Sequence, residues 1–284
     1  MIATDRFEGA LGTWTHCAWE PPPGDPLAAF VERIWDFDGI LTFPREQAFP
    51  DGTLALVVQL DEPHRPIATA PMDPFPAVCF DGLQTRATVI EGPRSRCRVL
   101  AIILRPLGAS ALLGASLREL TDRSTDLHAI SGNTAAQELA QRLDDARDGS
   151  ERVRRARAWT SVRLARAEVC DPLVVRVFER IERGAGNLAV TQLEELSGRS
   201  RSRLCAAFAD AIGLSPKRYA RIVRFRRALE LVGTGSSPLG DIALRCGYYD
   251  QAHMNAEFAE HAGLTPRAYM LARRYPESTH LVVP

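Results

Sequence analysis

Long apolar runs are missing from this chain of 284 residues. The longest aliphatic stretch is Val99-Leu100-Ala101-Ile102-Ile103-Leu104. That is far short of the roughly 20 residues a spanning helix needs, so no membrane span is expected. Met1 to Glu8 lack a basic stretch followed by an apolar one, so no secretory leader is read there. Cysteine is sparse and scattered: Cys17, Cys79, Cys97, Cys170, Cys205 and Cys246 form no C-x-x-C and have no histidine pair nearby. A disulfide framework and a zinc ribbon are therefore excluded, and the thiols read as reduced packing residues of a bacterial-type cytoplasmic protein. Lysine is nearly absent, Lys217 standing alone among 35 basic residues. That bias is compositional and does not by itself point to phosphate. With 45% apolar and 25% charged residues, wholesale disorder is excluded, and the length suits two domains.

A net charge of zero conceals an asymmetry. Residues 170–284 hold 16 Lys+Arg against 12 Asp+Glu, whereas residues 1–169 hold 19 against 23. The positive excess sits at one end, as in many chains that touch nucleic acid.

The punctuation of residues 20–110 is that of a β-rich module. Phe49-Pro50-Asp51-Gly52 feeds the strand-length run Thr53–Leu60. Further strands are expected at 77–80, 87–90 and 98–104, each closed by Gly or Pro, while Leu27–Trp35 reads equally as helix or strand. Short strands so spaced suggest a small barrel or sandwich. After Pro106 the period becomes helical. The charged stretch 144–166, with Arg152, Arg154, Arg155, Arg157, Arg163 and Arg166, reads as the solvated face of a linker helix around Val153, Trp159, Val162 and Leu164. Asp171-Pro172 opens a run of short helices. Ser215-Pro216, Ser237-Pro238 and Thr265-Pro266 carry helix-start signatures, and Gly213 and Gly263 sit where left-handed caps belong. The expected organisation is α+β: a β-rich module over 1–110, a helical linker over 111–169, an all-α domain over 170–275 and a tail over 276–284.

The helical region repeats at a spacing of 50 residues. Phe208, Gly213, Leu214, Pro216 and Tyr219 recur as Phe258, Gly263, Leu264, Pro266 and Tyr269. In the first unit Leu193 and Leu196 lie on a short helix, Gly198 in the turn, and Ser200 caps a helix with Leu204 and Phe208 inward. In the second, Ile242, Ala243 and Cys246 form the short helix, Gly247 the turn and Asp250 the cap, with Met254 and Phe258 inward. Two short helices joined by a glycine turn follow the helix-turn-helix plan, whose second helix enters the major groove of double-stranded DNA. Pro216–Val232 can hold two such helices about one DNA turn apart. Its stripe of Ile222, Phe225, Leu229 and Val232 leaves Lys217, Arg218, Arg221 and Arg224 for solvent or phosphate.

Residues 170–275 resemble the DNA-binding region of the AraC/XylS family of bacterial transcription regulators. The resemblance is carried by Gly213-Leu214-Ser215-Pro216-x-x-Tyr219, Arg224 to Leu229, Asp241-Ile242-Ala243, Gly247 to His253 and Phe258 through Pro266. Residues 20–165 are similar, through Phe49 to Thr53, Phe80 to Thr85, Arg105 to Ala109 and Leu117 to Asp122, to the N-terminal region of one branch of that family. This implies a sensor-like module of unspecified ligand. The family's arginine two residues before each phenylalanine is replaced here by Ala206 and Ala256, so the usual guanine contact cannot be carried over. Glu194 adds a negative charge near the first turn. Readout is then expected from Arg201, Ser202, Arg203 and Cys205 in the first unit and Gln251, His253 and Asn255 in the second. The first unit, with two arginines in its opening turn, is expected to supply most of the affinity. The alternative is a partner-recruiting module with weakened DNA contacts.

No enzyme, cofactor or metal is expected. His64 reads as a surface histidine, His253 and His261 are eight apart and no ligand pair, and Cys170 has no base beside it. A small apolar ligand held between Trp35 and Leu104, among Phe37, Phe43, Phe49 and Phe80, is the expected signal if the module senses one. RNA polymerase and a second copy of the chain stand as further candidate partners.

Overall fold

The computed structural model describes residues 1–43, 45–67, 73–167, 170–187, 201–272 and 280–283. Two antiparallel sheets form the N-terminal half. β1 (Ala3–Gly9), β2 (Gly12–Trp19), β3 (Val31–Leu41), β5 (Leu54–Gln59), β7 (Val78–Asp81), β9 (Cys97–Leu104) and β10 (Ser124–Asp126) make a seven-stranded sheet in the order β1-β2-β3-β9-β5-β7-β10. β4 (Arg45–Ala48), β6 (Arg65–Ile67), β8 (Thr88–Glu91) and β11 (Leu281–Val283) make the other, in the order β11-β4-β8-β6. The four strands expected from aliphatic runs are β5, β7, β8 and β9, within a residue or two at each end. The ambiguous stretch resolves into a 3-10 turn at Pro26–Ala29, capped by Asp25, and then β3. β11 pairs antiparallel with β4, Leu281 opposite Gln47, so the end of the chain completes a sheet begun more than 230 residues earlier.

Helices follow: α1 (Pro106–Leu113), α2 (Leu127–Ser131), α3 (Asn133–Asp144), α4 (Gly149–Leu164), α5 (Pro172–Arg183), α6 (Arg201–Ile212), α7 (Pro216–Thr234), α8 (Leu239–Arg245), α9 (Gln251–Ala262) and α10 (Pro266–Leu271). α4 lies across β2 and β3. One core runs unbroken from the large sheet (Ile34, Leu56, Leu100, Ile102) through Leu139, Val153 and Val177 to Phe208, Tyr219 and Ile222. A second joins the later part of α7 (Phe225, Leu229, Val232) to Ile242, Met254, Phe258 and Tyr269, and takes Phe49 and Leu281 from the N-terminal sheet. Burial of this kind stabilises by about 25 cal/mol per Å² of apolar surface, so each core also fastens the two halves together.

Three readings of burial need correcting. Arg152 does not lie on a solvated face; it is 2% exposed and donates from Nε and Nη2 to Asp36 at 2.6 and 2.9 Å. Val162, placed on the apolar face by its spacing, is instead 56% exposed. His64 is half-buried, its Nδ1 3.0 Å from Gln59 Oε1, and burial holds its imidazole below the usual range.

Candidate nucleic-acid interface

The second unit is described in full. Gly247, at φ +76°, turns the chain between α8 and α9, and a Cβ there would lie 1.8 Å from Asn187 Oδ1. No side chain fits, so Asn187, four residues past the end of α5, is seated on this turn. Asp250 caps α9, its Oδ1 accepting from the His253 N–H at 2.7 Å, as a cap aspartate at a helix start should. Met254, Phe258 and Ala262 face inward, and Phe258 meets Phe225 edge-on with centroids 5.2 Å apart. That inward stripe leaves Gln251, His253 and Ala256 exposed, while Asn255 is half-buried with Oδ1 unpartnered. The His253 ring stands edge-on to Tyr248 at 5.3 Å.

In the first unit, the short helix expected at 191–196 and the Ser200 cap lie outside the described residues. α6 places Leu204, Phe208 and Ile212 inward, and Gly213 follows at φ +98°, just as Gly263 follows α9 at φ +71°. Ser202, Arg203 and Ala206 are exposed and Cys205 is half-buried. Arg201 opens the helix.

α7 links the units. Its Tyr219, Ile222 and Val223 enter the first core, and its Phe225, Ala228 and Leu229 the second. At 19 residues it spans about 28 Å. Lys217 and Arg218 are exposed, as the stripe requires. Arg221 and Arg224 are not free. Arg221 donates from Nε to Glu257 Oε2 at 2.8 Å and from Nη2 to Glu260 at 2.5 Å. Arg224 donates to both oxygens of Glu257, at 3.0 and 2.8 Å, and lies 4.8 Å over the Tyr248 ring. The expectation of four free cations on this helix is corrected to two, because α9 carries acids at the matching spacing. Burial would raise the Glu257 carboxyl, but hydrogen bonds from Arg224 and Arg221 outweigh it and hold the group below its usual range.

Carbonyls at the ends of α6 and α9 accept hydrogen bonds from the N-terminal half. At the end of α6, Leu117 N–H donates to Asp210 O at 2.8 Å and Thr121 to Gly213 O at 2.8 Å, while Arg118 reaches Ala206 O, further back on the helix, at 3.0 Å. On α9, Ala87 N–H donates to His261 O at 2.7 Å and Gln47 to Ala262 O at 2.9 Å. Carbonyls at a helix end have no partner within the helix, so these contacts fix where each helix points. Between them, Tyr219 and Arg226 share Glu182 at 2.7 Å each, and Arg226 also donates to Asp51 O at 2.9 Å.

His261 gives this interface a pH dependence. It is 4% exposed, and its Nδ1–H donates to the Thr85 carbonyl at 2.7 Å while Nε2 is buried without a partner. Burial holds the imidazole below its usual range, against the pull of the Thr85 carbonyl. The unfolded chain therefore takes up the proton first. Stability is complete above about pH 6.5 and falls with pH below it, by up to about 1.4 kcal/mol per unit until the folded value is reached. Urea titrations at pH 7.5 and 5.5 should show that loss in the wild type and a smaller one in His261→Leu. Equal losses would remove His261 as the source.

The aromatic residues expected to enclose a ligand do not converge. Phe49 packs edge-on against Tyr269 in the second core, 5.5 Å between centroids, and Phe80 is fully buried in the first. Trp35 and Phe37 are half-buried on the face of β3 opposite Asp36. Among the described residues no group of three or more His, Cys, Asp or Glu is placed to hold a metal ion. Burial pushes the Cys170 thiol up, the direction opposite to an activated nucleophile. No described helix is long and apolar enough to cross a membrane.

Comparison with known proteins agrees with this geometry. Residues 194–272 match a family of helix-turn-helix domains, and residues 20–126 match a domain of unknown function (DUF6597). The HTH-type transcriptional regulator YbfI of Bacillus subtilis is 36% identical over 73 residues, 26% of each chain. The HTH-type transcriptional activator RhaR of Yersinia pseudotuberculosis is 37% identical over 62 residues, 22% of this chain and 21% of RhaR. The chain thus spans about a quarter or less of these relatives' length. Among solved structures, the C-terminal domain of the response regulator AraT from Geobacillus stearothermophilus aligns over 39% of this chain and 93% of its own, at 24% identity and TM-score 0.35. Fatty-acid-bound ToxT from Vibrio cholerae aligns over 84% of this chain and 93% of its own, at 11% identity and TM-score 0.43. Residues 194–272 thus carry a domain of the helix-turn-helix family.

Proposed function

We propose that this chain is a sequence-specific DNA-binding transcription regulator of the cytoplasm. Residues 170–275 read DNA, residues 1–110 are the sensor-like module, and residues 111–169 are the helical linker between them. The observation that carries this reading is the second unit: a capped recognition helix on a glycine turn, with Gln251 and His253 exposed at its start. Gln251 and Asn255 suit adenine, whose N6 and N7 match an amide. Arg201, Ser202, Arg203 and Cys205 play the corresponding part in the first unit. Lys217 and Arg218 supply phosphate contacts from the linking helix.

Selection of bound sequences from a random duplex pool, followed by gel shift at controlled salt, tests the reading. An enriched site with two half-sites one helical turn apart supports it. Exposed Ala206 and Ala256 favour a second reading, in which the chain mainly recruits a partner and its DNA contacts are residual. A pool without enrichment would select that one.

The phosphate role has its own signature. Replacing Lys217 and Arg218 by alanine should weaken binding to all sequences alike. It should also lower the slope of log K against log salt by about 2, at roughly 0.9 per contact. An unchanged slope would take both residues off the backbone.

A further inference from the structure

A groove of about 1060 Å³ opens where α1, α4, α5 and α6 meet. Its walls are apolar: Leu112, Leu113, Val162, Val174, Ala207 and Ala211. One side is cationic. Arg142 and Arg163 share the single carboxylate of Glu138, at 2.8 and 3.2 Å, and exposed Arg166 pairs with no acid among the described residues. Asp210 being neutralised by Arg118 from outside the groove, the three guanidiniums face two carboxylates, Glu138 and Asp171, which leaves a surplus of one positive charge among the described lining residues. Asp210 is held by Arg118 and Ser116, and Asp171 is turned to the start of α5, which it caps. The same cationic side holds two buried N–H groups without acceptors, Trp159 Nε1 and Arg163 Nε. Trp159 is only 5% exposed, and the Arg163 guanidinium lies 4.4 Å over its ring. Buried donors are almost always paired, so two orphans beside an uncompensated positive charge mark a place for an acceptor bearing negative charge.

We propose that this groove binds a small organic carboxylate with an apolar body. The carboxylate sits on the Arg163 and Arg166 side, where it accepts hydrogen bonds and neutralises the surplus charge. The body lies along Leu112, Val162 and Ala211. A cation would meet like charge there, a neutral molecule would leave the surplus charge uncompensated, and a wholly polar anion would leave the apolar walls wet. Because Ala207 and Ala211 belong to the first recognition helix, the occupant touches an element that reads DNA. That consequence rests on the function proposed above, whereas the binding itself does not.

The test uses the full chain, with 4-phenylbutanoate as probe and 4-phenylbutan-1-ol as its uncharged match. The readout is the indole N–H resonances of Trp14, Trp19, Trp35 and Trp159, with Trp159→Phe identifying the signal of interest. Phenylbutanoate should shift the Trp159 resonance saturably, and the alcohol should bind at least about tenfold more weakly. Arg166→Glu and Val162→Asp change exposed positions, so the rest of the spectrum stays as in the wild type while affinity falls by about tenfold or more. A Trp159 resonance that stays in place at about 10 mM probe would overturn the proposal. So would equal binding of the alcohol, undiminished binding by both variants, or a shift of Trp35 instead. Gel shift is run separately, so a failure to bind DNA leaves the resonance result standing.

Discussion

Glu257→Ala should destabilise the protein by about 3–5 kcal/mol, the cost of breaking a buried ion pair from one side. Glu257 is 4% exposed and its two oxygens accept three hydrogen bonds, one from Arg221 and two from Arg224, whose side chains are 30% and 17% exposed. Without the carboxylate, Arg224 is left as a largely buried charge over the Tyr248 ring, with no other acid paired to it among the described residues. Glu257→Gln keeps the shape and one acceptor, so its cost should fall between that of alanine and the wild type. Because Glu257 is held below the usual carboxylate range, the stability it contributes is present above about pH 4.5. It is lost as pH falls through the depressed folded value. Urea titration at pH 7 and at pH 4 checks both statements. A loss under about 1 kcal/mol at pH 7 would show that the cluster is a surface pair of ordinary weight. In the function proposed above, α9 would then no longer be braced against α7, and the DNA contacts proposed for Gln251 and Asn255 should weaken together.

What the sequence displays and what it hides divide along the range of the interactions. β5, β7, β8 and β9 are legible because each is an aliphatic run between Gly or Pro turns. β1 and β2 are not, because Thr13, Trp14, Thr15 and His16 mix polar and aromatic residues on a half-exposed hairpin. β11 has no local signal at all: its partner strand lies at the other end of the chain. The second unit is legible because caps, turn glycine and inward pair are local features, and Asp250, Gly263, Met254 and Phe258 all sit where the spacing puts them. The role of Arg221 and Arg224 is hidden because helical periodicity gives a direction but not a neighbour. A signal was present: Glu257 and Glu260 repeat the three-residue spacing of Arg221 and Arg224, as complementary faces of two packed helices do. The groove is invisible in sequence, since α1, α4, α5 and α6 supply its walls from across a hundred residues.

Arg152 shows the same limit in sharper form and carries the other large effect. Among the arginines of α4, Arg154, Arg155 and Arg157 meet solvent or surface acids. Arg152 points into β3 and grips Asp36 with two parallel hydrogen bonds, with Asp38 a further 3.4 Å contact. Both partners are nearly sealed, at 2% and 1% exposure. Gly149, one turn earlier, lets the helix come this close, since a Cβ there would lie 2.2 Å from Asp36 Oδ1. Asp36→Leu should therefore cost about 3–5 kcal/mol, because the buried guanidinium keeps only the more distant Asp38 carboxylate. Arg152→Met alone should cost a similar amount by stranding the carboxylate. The double variant Asp36→Leu/Arg152→Met removes both charges from the interior and should recover most of the loss, because attraction within such a pair roughly repays its desolvation. Chemical denaturation of the four proteins closes the cycle. Additive losses in the double variant would mean that the two side chains act independently, and that α4 is held on the sheet by its apolar contacts alone.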